Sequence, residues 1–309
     1  MIVAATTQRT FAVMGTTATV TVVGDDADGS LAHGAERELL DLHRRWTRFD
    51  DASEIGRLNR ARGALVLLEP DTHAVVTAAI SAWQRTDGRF DPTVAMAMNA
   101  LGYDADLDTI DPRLERGDDP RPSPGCAGIA LDPTLRSVQA PPDVGIDLGG
   151  IGKGAAADLV SASAINAGAD GVCINLGGDL RVRGVGPDGA SWRIELVPTA
   201  VGGDAPIVVE LNDGAVCTSR TDRRAWTRHD GPAHHVIDPR SGRSTDTTIT
   251  AVSVLARQAV DAEPLTKAAL VAGPADARSV LDAHDAPAVI VTDDGHRHAV
   301  GRIREYLAC

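Results

Sequence analysis

The spacing of apolar residues in the first half of the chain predicts three helices and an opening hairpin. Between residues 30 and 46 apolar side chains recur at intervals of three and four, the period of one face of a helix. The same period predicts a helix over 71–83, and a short helical pattern follows Ser53. β-branched residues alternate over 10–24 around Met14-Gly15, a pattern typical of two strands joined by a tight turn.

The second half of the chain mixes strands and helices. Its strands are expected at 144–148, 171–176, 192–197, 206–211, 215–219 and 249–255, and its helices at 153–167 and from about 263 to 272. A glycine loop follows each of the first two strands, and the end of the chain carries a hairpin signal with Asp294-Gly295 at the turn. Because the elements do not alternate strictly, we predict an α+β fold with a mixed sheet and helices packed on it.

One irregular stretch bears on the domain organisation. A chain of 309 residues, 43% of them hydrophobic, is long enough to bury a substantial core. Residues 104–143 are dominated by Asp, Arg, Pro and Gly and contain only brief apolar pieces. We interpret them as an irregular surface connection and as the best candidate for a subdomain boundary within a single domain that spans 1–309.

The charge balance restricts the partners. The chain has 30 Lys and Arg residues against 43 Asp and Glu, a formal net charge of -13, and no basic run interrupts it. Such a surface repels the phosphates of nucleic acids and anionic lipids, so no nucleic acid partner is expected. An anionic ligand would need a bound cation, helix N-termini or a few well-placed Lys and Arg side chains.

Neither a membrane segment nor a zinc site is indicated. No window approaches the roughly 18 apolar residues of a membrane span, and the sequence shows no leader or lipobox, so a cytoplasmic location is expected. The four cysteines form no CxxC pair, which argues against structural zinc.

The stretch VGIDLGGIGKGAAADLV at 144–160 invites a nucleotide-binding interpretation. Residues 150–155 match G-x-G-x-x-A, but a dinucleotide-binding unit normally opens its domain, whereas this one lies in mid-chain. A Walker A loop is excluded because Asp147 stands at its first glycine and Gly154 follows Lys153. Two alternatives remain: glycine amides and Lys153 hold a phosphate at the helix N-terminus while Asp147 accepts from the ligand, or the stretch is a tight turn with a surface lysine.

Histidines concentrate in the sequence RHDGPAHHVIDPRSGR at 228–243. His229, His234 and His235 precede Asp238 and offer metal ligands. Their spacing is not that of an HExxH site, in which two histidines four residues apart share one face of a helix. The alternative is a single histidine that acts near a ligand, with the pair at the end of a strand that leads into the DPRSG turn.

Seven motifs, taken in order, resemble those of the FAD:protein FMN transferase family, the ApbE-like flavin transferases, over nearly the full chain. The motifs are FAVMGTTATV at 11–20, RFDDASEIGRLN at 48–59, TDGRFDPTV at 86–94, IDLGGIGKGAAAD at 146–158, INLGGDLRVRG at 174–184, AVCTSR at 215–220 and HHVIDPRSGR at 234–243. The resemblance implies an ApbE-like, T-fold-like α+β architecture.

The resemblance also implies an activity. FAD is bound with a divalent metal, normally Mg²⁺, its FMN part passes to a Thr or Ser hydroxyl of an acceptor flavoprotein, and AMP leaves. Acceptors of the family carry a motif similar to D-x-x-[ST]-G-A-T, which is absent from this chain, so the acceptor is expected to be a separate protein. The alternatives are hydrolysis of the FAD diphosphate by water and a non-catalytic FAD-binding module.

The resemblance assigns roles to individual residues. His235, which matches the histidine of the family's H-x-I-D-P motif, is the candidate for proton transfer. For Phe90 a plain core position and for Asp91 a turn-forming position before Pro92 are the alternatives. The residues assigned to FAD are Met14, Phe49, Arg89, Phe90, Asp91, Asp147 and Lys153.

The metal site departs from the family pattern. The family offers a glycine backbone carbonyl, here that of Gly150, and an Asp placed four residues before a Thr. Thr266 matches the Thr, but the position four before it is Ala262. Asp261 and Glu263 flank it, and either carboxylate is a candidate because Mg²⁺ accepts oxygen ligands of both kinds. We favour Asp261 over Glu263.

Overall fold

A computed structural model describes residues 5–105, 119–196, 206–222, 224–228 and 231–308. The helices are α1 Ser30–Trp46, α2 Glu54–Arg60, α3 Pro70–Arg85, α4 Ala95–Ala100, α5 Gly152–Asn166 and α6 Ala259–Ala283, with a 3-10 turn at Ile303–Tyr306. The strands are β1 Thr6–Val13, β2 Thr16–Val23, β3 Val66–Leu67, β4 Ala130–Asp132, β5 Ser137–Gln139, β6 Gly171–Leu176, β7 Asp179–Gly184, β8 Trp192–Leu196, β9 Ile207–Leu211, β10 Gly214–Arg220, β11 Ala225–Arg228, β12 Gly231–His234, β13 Ile237–Asp238, β14 Arg243–Ser244, β15 Ile249–Ala256, β16 Ala288–Thr292 and β17 Arg297–Val300.

Eight of the described strands form one sheet in the order β1-β2-β6-β7-β10-β15-β16-β17, and each neighbouring pair is antiparallel. Helices α5 and α6 pack on this sheet and against each other, and α1 packs on α5. The hairpin β8–β9 joins a second apolar cluster, in which Trp192 and Leu196 meet Leu180 and Val216 of the large sheet. The predicted α+β class is confirmed, but the described strands of this sheet are antiparallel throughout rather than mixed.

Local signals account for the first elements. Five apolar residues of α1, spaced by three and four, are buried, as the periodicity predicts. Ser53 caps α2, because its side chain accepts from the amide of Gly56 at 2.8 Å. Strands β1 and β2 pair across Met14-Gly15, where both residues have positive φ, of 52° and 63°, as in a type I′ turn.

Three of the elements that differ from the sequence prediction lie near the glycine stretch or its partner helix. Residues 144–148 form no strand, because side chain and loop contacts satisfy their backbone: Asn59 bonds both the amide and the carbonyl of Ile146, and the amide of Asp147 donates to Pro92. Strand β7, directly after the second glycine loop, was not predicted. Helix α6 begins at Ala259 rather than near residue 263, and it continues to Ala283 across a kink at Gly273.

The early start of α6 has a cause in the neighbouring helix. The carboxylate of Asp158, on α5, accepts from the amides of Ala259 and Val260 at 3.1 and 2.8 Å. It therefore satisfies two of the first four amides of α6, which have no acceptor within their own helix. Pro264 therefore lies inside α6.

Part of the stretch proposed as a subdomain boundary can be described. Residues 106–118 lie outside the described residues, whereas β4 and β5 pair with each other and with β3 in a small three-stranded sheet. The boundary itself stays a prediction. Among the described helices, none combines the length and the apolar character that crossing a bilayer requires.

Candidate active site

A cleft beside the glycine stretch brings together all seven side chains predicted to bind FAD. It encloses about 1150 Å³ of empty space, solvent at its mouth included. Residues that the sequence did not single out also line it, among them Arg48, Tyr103, Arg224 and Lys267. The predicted residues that line it are Met14, Phe49, Arg89, Phe90, Asp91, Asp147, Gly150, Lys153 and His235.

The cleft is locally basic, although the protein as a whole is acidic. Five Lys and Arg side chains line it, against two carboxylates, although the chain as a whole carries a formal charge of -13. This matches the expectation that an anionic ligand would need a few placed cations. The five are Arg48, Arg89, Lys153, Arg224 and Lys267.

Met14 enters the cleft from the turn between β1 and β2. Its φ of 52° lies in the left-handed region, which a non-glycine residue adopts only when its surroundings hold it there. The guanidinium of Arg224 donates to the carbonyl of Gly15 at 2.8 Å and so holds the turn in place. The turn thus presents the thioether to the cleft.

Aromatic rings form one wall. Phe49 and Tyr103 meet edge to face at 5.7 Å, and Tyr103 stacks on Trp226 at 5.6 Å. The guanidinium of Arg48 lies 4.3 Å from the centre of the Phe49 ring, within the range of a cation–π contact. Phe49 keeps 38% of its surface exposed, so it offers the ring that the prediction requires.

Asp147 has a structural partner in addition to its place in the cleft. Its Oδ2 accepts from Arg48 Nε at 2.7 Å, and its Oδ1 accepts from the amide of Gly149 at 2.6 Å. Arg48 also donates to Asn99 at 2.5 Å and to the carbonyl of Tyr103. Asp147 therefore holds the arginine and shapes the loop, and its direct contact with FAD stays a prediction.

Phe90 and Asp91 have the structural positions named as alternatives to FAD binding: Phe90 lies in the core and Asp91 forms a turn. Phe90 is buried, and a Cβ on Gly150 would come within 2.8 Å of its ring, so the glycine is needed for this packing. Asp91 accepts from the amide and the hydroxyl of Thr93, at 2.7 and 2.6 Å, and holds the turn after Pro92. Burial raises the pKa of its carboxyl above the usual range.

Four charged side chains form a buried cluster behind the glycine stretch. Oε1 of Glu263 accepts from Lys153 Nζ at 2.7 Å and from Lys267 Nζ at 2.9 Å, and Oε2 accepts from the amide of Gly154 at 2.8 Å. Lys153 also donates to Asp179, on β7. Glu263 is fully buried, whereas the two lysines keep 12% and 13% of their side-chain surface exposed, towards the cleft they line.

Mutual pairing keeps Glu263 and Lys153 ionised. Burial alone would raise the pKa of Glu263, but Lys153 and then Lys267 outweigh it, and the pKa falls well below the usual range. Burial would lower the pKa of Lys153, but Asp179 and Glu263 outweigh it, and the pKa rises. Lys153 is therefore a charged side chain held at a fixed place, and not the surface lysine of the turn hypothesis.

The amides of the glycine stretch are largely occupied within the protein. The amide of Gly149 donates to Asp147, that of Gly152 donates to the carbonyl of Leu148 at 2.7 Å, and that of Gly154 donates to Glu263. These three amides are not available to a phosphate. Of the groups that the phosphate hypothesis names, the ammonium of Lys153 still lines the cleft.

The predicted magnesium ligands are not brought together. Asp261 pairs with Arg85 at 3.0 Å, with both side chains more than 40% exposed, and it does not line the cleft. Thr266 is buried and shares its hydroxyl with Ser219 and with the carbonyl of Glu263, each at 2.6 Å. Mg²⁺ demands a near-octahedral set of oxygen ligands, and these separately engaged side chains do not supply one.

Glu263 is equally unsuited to the ion. Both of its oxygens already accept from N–H donors, and two of these donors are ammonium groups that would repel a dication placed beside them. The residues present therefore do not fit the implied Mg²⁺ site.

The histidine pair divides into a structural and a cleft member. His234 contacts the carbonyl of Thr245 through Nε2 and the amide of Val236 through Nδ1. His235 lines the cleft, and burial, followed by the charges of Arg224 and Lys267, holds its pKa well below the usual range. His235 is therefore neutral at pH 7, the form that a proton acceptor requires, and its lowered pKa makes it a weaker base than a free imidazole. His229 lies outside the described residues.

Arg48 and Lys267 line the cleft but were not predicted as site residues. Arg48 opens the motif at 48–59, but its partner Asp147 lies 99 residues away, so nothing local indicates the pair. Lys267 carries a clearer signal, because the chain contains only two lysines among its 30 basic residues. It also follows Glu263 by four residues, the spacing of one helix face.

Comparison with known proteins gives the family. The model of the ApbE family matches residues 14–290. The FAD:protein FMN transferase of Vibrio cholerae serotype O1 is 27% identical over 281 residues, which cover 88% of this chain and 83% of that protein. The fold is similar to the ApbE protein from Thermotoga maritima MSB8, with a TM-score of 0.88, 22% identity and coverage of 99% and 100%. It is also similar to the flavin transferase ApbE from Vibrio cholerae, with a TM-score of 0.83, 23% identity and coverage of 98% and 100%. Since the family model matches most of this chain, the chain belongs to the ApbE family.

Proposed function

We propose that the protein transfers the FMN part of FAD to a Ser or Thr hydroxyl of a separate acceptor protein and releases AMP. One observation carries the proposal: a single cleft joins His235 and the two lysines with the aromatic and arginine side chains that the resemblance assigns to FAD. The similar protein of Vibrio cholerae bears the name FAD:protein FMN transferase, which supports the same substrate.

The chemistry of the cleft suits the two halves of this substrate. Phe49 and Tyr103 provide an aromatic wall for a flat ring system such as the flavin. The excess of Lys and Arg side chains provides charge for the diphosphate. Both features lie in the same cavity, as a ligand with an aromatic ring and a diphosphate requires.

The transfer is a displacement at phosphorus. The hydroxyl oxygen of the acceptor attacks the phosphorus on the FMN side, and the bond from this phosphorus to the bridging oxygen breaks. AMP leaves with that oxygen, and the hydroxyl proton passes to an imidazole nitrogen of His235. Cationic side chains of the cleft stabilise the charge that develops on the phosphoryl oxygens. No step is assigned to Mg²⁺, because the described side chains do not fit it.

The test is incubation of the purified protein with FAD, with and without an acceptor domain that carries a D-x-x-[ST]-G-A-T motif. AMP is measured by chromatography, and covalent flavin by fluorescence on a denaturing gel. We expect AMP and a fluorescent acceptor band together, and neither when the acceptor Ser or Thr is replaced by Ala. AMP without acceptor would indicate FAD hydrolysis, and bound FAD without AMP a binding module; either result would overturn the proposal.

A further inference from the structure

The two lysines of the chain converge on one carboxylate. The other 28 basic residues are arginines, yet the cations that contact Oε1 of Glu263 are Lys153 and Lys267. They come from the first turn of α5 and from α6, 114 positions apart in sequence. In a chain that otherwise uses arginine at its basic positions, this placement indicates a requirement for an ammonium group at the site.

An ammonium group differs from a guanidinium in shape and in donors. It is a compact point charge with three rotatable N–H donors, whereas the guanidinium is a planar fork that needs more room. Lys267 uses one of its three N–H donors, on Glu263. Lys153 uses two, one on Glu263 and one on Asp179. These contacts leave N–H donors on both lysines for a ligand in the cleft that the lysines line.

Lys267 passes beside one of the residues that the resemblance assigns to the metal. A Cβ on Gly150 would lie 3.8 Å from Lys267 Cε, so the side chain passes beside the residue whose carbonyl was expected to bind Mg²⁺. Lys267 also stands four residues after Glu263, the same interval that separates the two metal-binding side chains of the family pattern. Glu263 holds the ammonium at this place by the 2.9 Å contact.

We propose that Lys267, positioned by Glu263 and assisted by Lys153, contacts a phosphate of FAD directly and takes the role of the divalent cation. The protein then binds FAD without Mg²⁺. This inference rests on the proposed function, since it concerns the same cleft and the same substrate. Unlike a bound ion, the ammonium is part of the chain and is not removed by a chelator.

The experiment measures FAD binding rather than transfer. Quenching of flavin fluorescence gives the Kd of the wild-type protein in EDTA and in excess MgCl₂, and the two values should agree within about threefold. Lys267→Met keeps the length of the side chain and removes its charge. It should weaken FAD binding by about 10- to 100-fold, the range expected for a lost charged hydrogen bond.

Two controls separate the charge from the shape of the cleft. Riboflavin has no phosphate, so its Kd should be the same for Lys267→Met and the wild type. Arg304→Met, at an exposed site in the 3-10 turn outside the cleft, should bind FAD as the wild type does. If Lys267→Met does not fold, the Kd values of the wild type in EDTA and in MgCl₂ still decide whether FAD binding needs Mg²⁺.

The outcomes distinguish a failure of the lysine proposal from a failure of the proposed FMN transfer. Wild-type protein that binds FAD only with MgCl₂, or a Lys267→Met variant that binds FAD as tightly as the wild type, overturns the inference and leaves the proposed transfer intact. Protein that binds FAD in neither buffer overturns the proposed function and this inference with it. Equal binding in both buffers together with a selective loss for FAD in Lys267→Met supports it.

Discussion

Replacing Glu263 by Gln tests whether one carboxylate holds two cations at the cleft. Burial would raise the pKa of this carboxyl, but Lys153 and Lys267 outweigh burial and lower it from 4.5 to about 2. At about 1.4 kcal/mol for each tenfold change in proton affinity, the ionised form stabilises the fold by about 3 kcal/mol. Breaking a buried ion pair typically costs about 3–5 kcal/mol, which agrees. Glu263→Gln should therefore lower the free energy of unfolding by about 3 kcal/mol at pH 7.

The pH dependence of this difference has a definite sign. Because the folded-state pKa is depressed, the stabilisation is complete above the unfolded-state value of 4.5 and is lost as the pH falls towards about 2. Urea unfolding followed by circular dichroism at about pH 7 and about pH 4 measures it. The gap between wild type and Glu263→Gln should be smaller at the lower pH.

Two further variants serve as controls for Glu263→Gln. Asp261→Asn breaks an exposed pair with Arg85 and should change the stability by less than about 1 kcal/mol. In Glu263→Gln, Lys153 keeps Asp179 as a counter-charge, whereas Lys267 loses the carboxylate it pairs with. The double variant Glu263→Gln/Lys267→Met removes this ammonium group, so it should regain part of the loss. A Glu263→Gln protein within about 1 kcal/mol of the wild type at pH 7 would refute the electrostatic reasoning.

Three other substitutions test separate parts of the structure. Arg48→Met removes the cation that bonds Asp147 at 2.7 Å in a largely buried pair, and urea unfolding should show a loss of about 3 kcal/mol; an unchanged midpoint would contradict this. His235→Ala should slow AMP release by about 10²- to 10⁴-fold while the Kd for FAD changes by less than about threefold, and a normal rate would exclude the proton-transfer role. Gly154→Ala brings a Cβ within 2.4 Å of the carbonyl oxygen of Ala259 and should destabilise the protein by about 1–3 kcal/mol. Gly34→Ala, on α1 with no neighbour within 4 Å, should instead stabilise it by up to about 1 kcal/mol, so equal thermal midpoints for the two glycine variants would refute the close contact.

Elements with a strong local pattern were predictable from the sequence. Helix α1 has the predicted bounds because its apolar residues repeat with the helix period, and α2 follows the serine that caps it. The strand predicted at 144–148 failed because apolar character alone does not supply a partner strand. Asn59, 87 residues earlier, satisfies the backbone of Ile146 instead, and no local pattern indicates such a contact.

The site was predictable where the motifs themselves supply its residues. Nine of the residues assigned through the resemblance line one cleft. The metal assignment depended on where α6 begins, and that start is decided by Asp158 on a different helix. Since α6 begins at Ala259, Glu263 already lies inside the helix, and it pairs with Lys267 one turn later rather than with Thr266.

The contacts between α5 and α6 are reciprocal, and this has a consequence for local opening. Glu263 of α6 accepts from the amide of Gly154 in the first turn of α5, while Asp158 of α5 accepts from the first two amides of α6. Neither helix can complete its own N-terminus when the other moves away. In hydrogen exchange, the amides of Gly154, Ala259 and Val260 should therefore open as one cooperative unit. A fluctuation that frees either helix would separate Lys153 from Lys267, so the two cations of the cleft persist only as long as the pair of helices does.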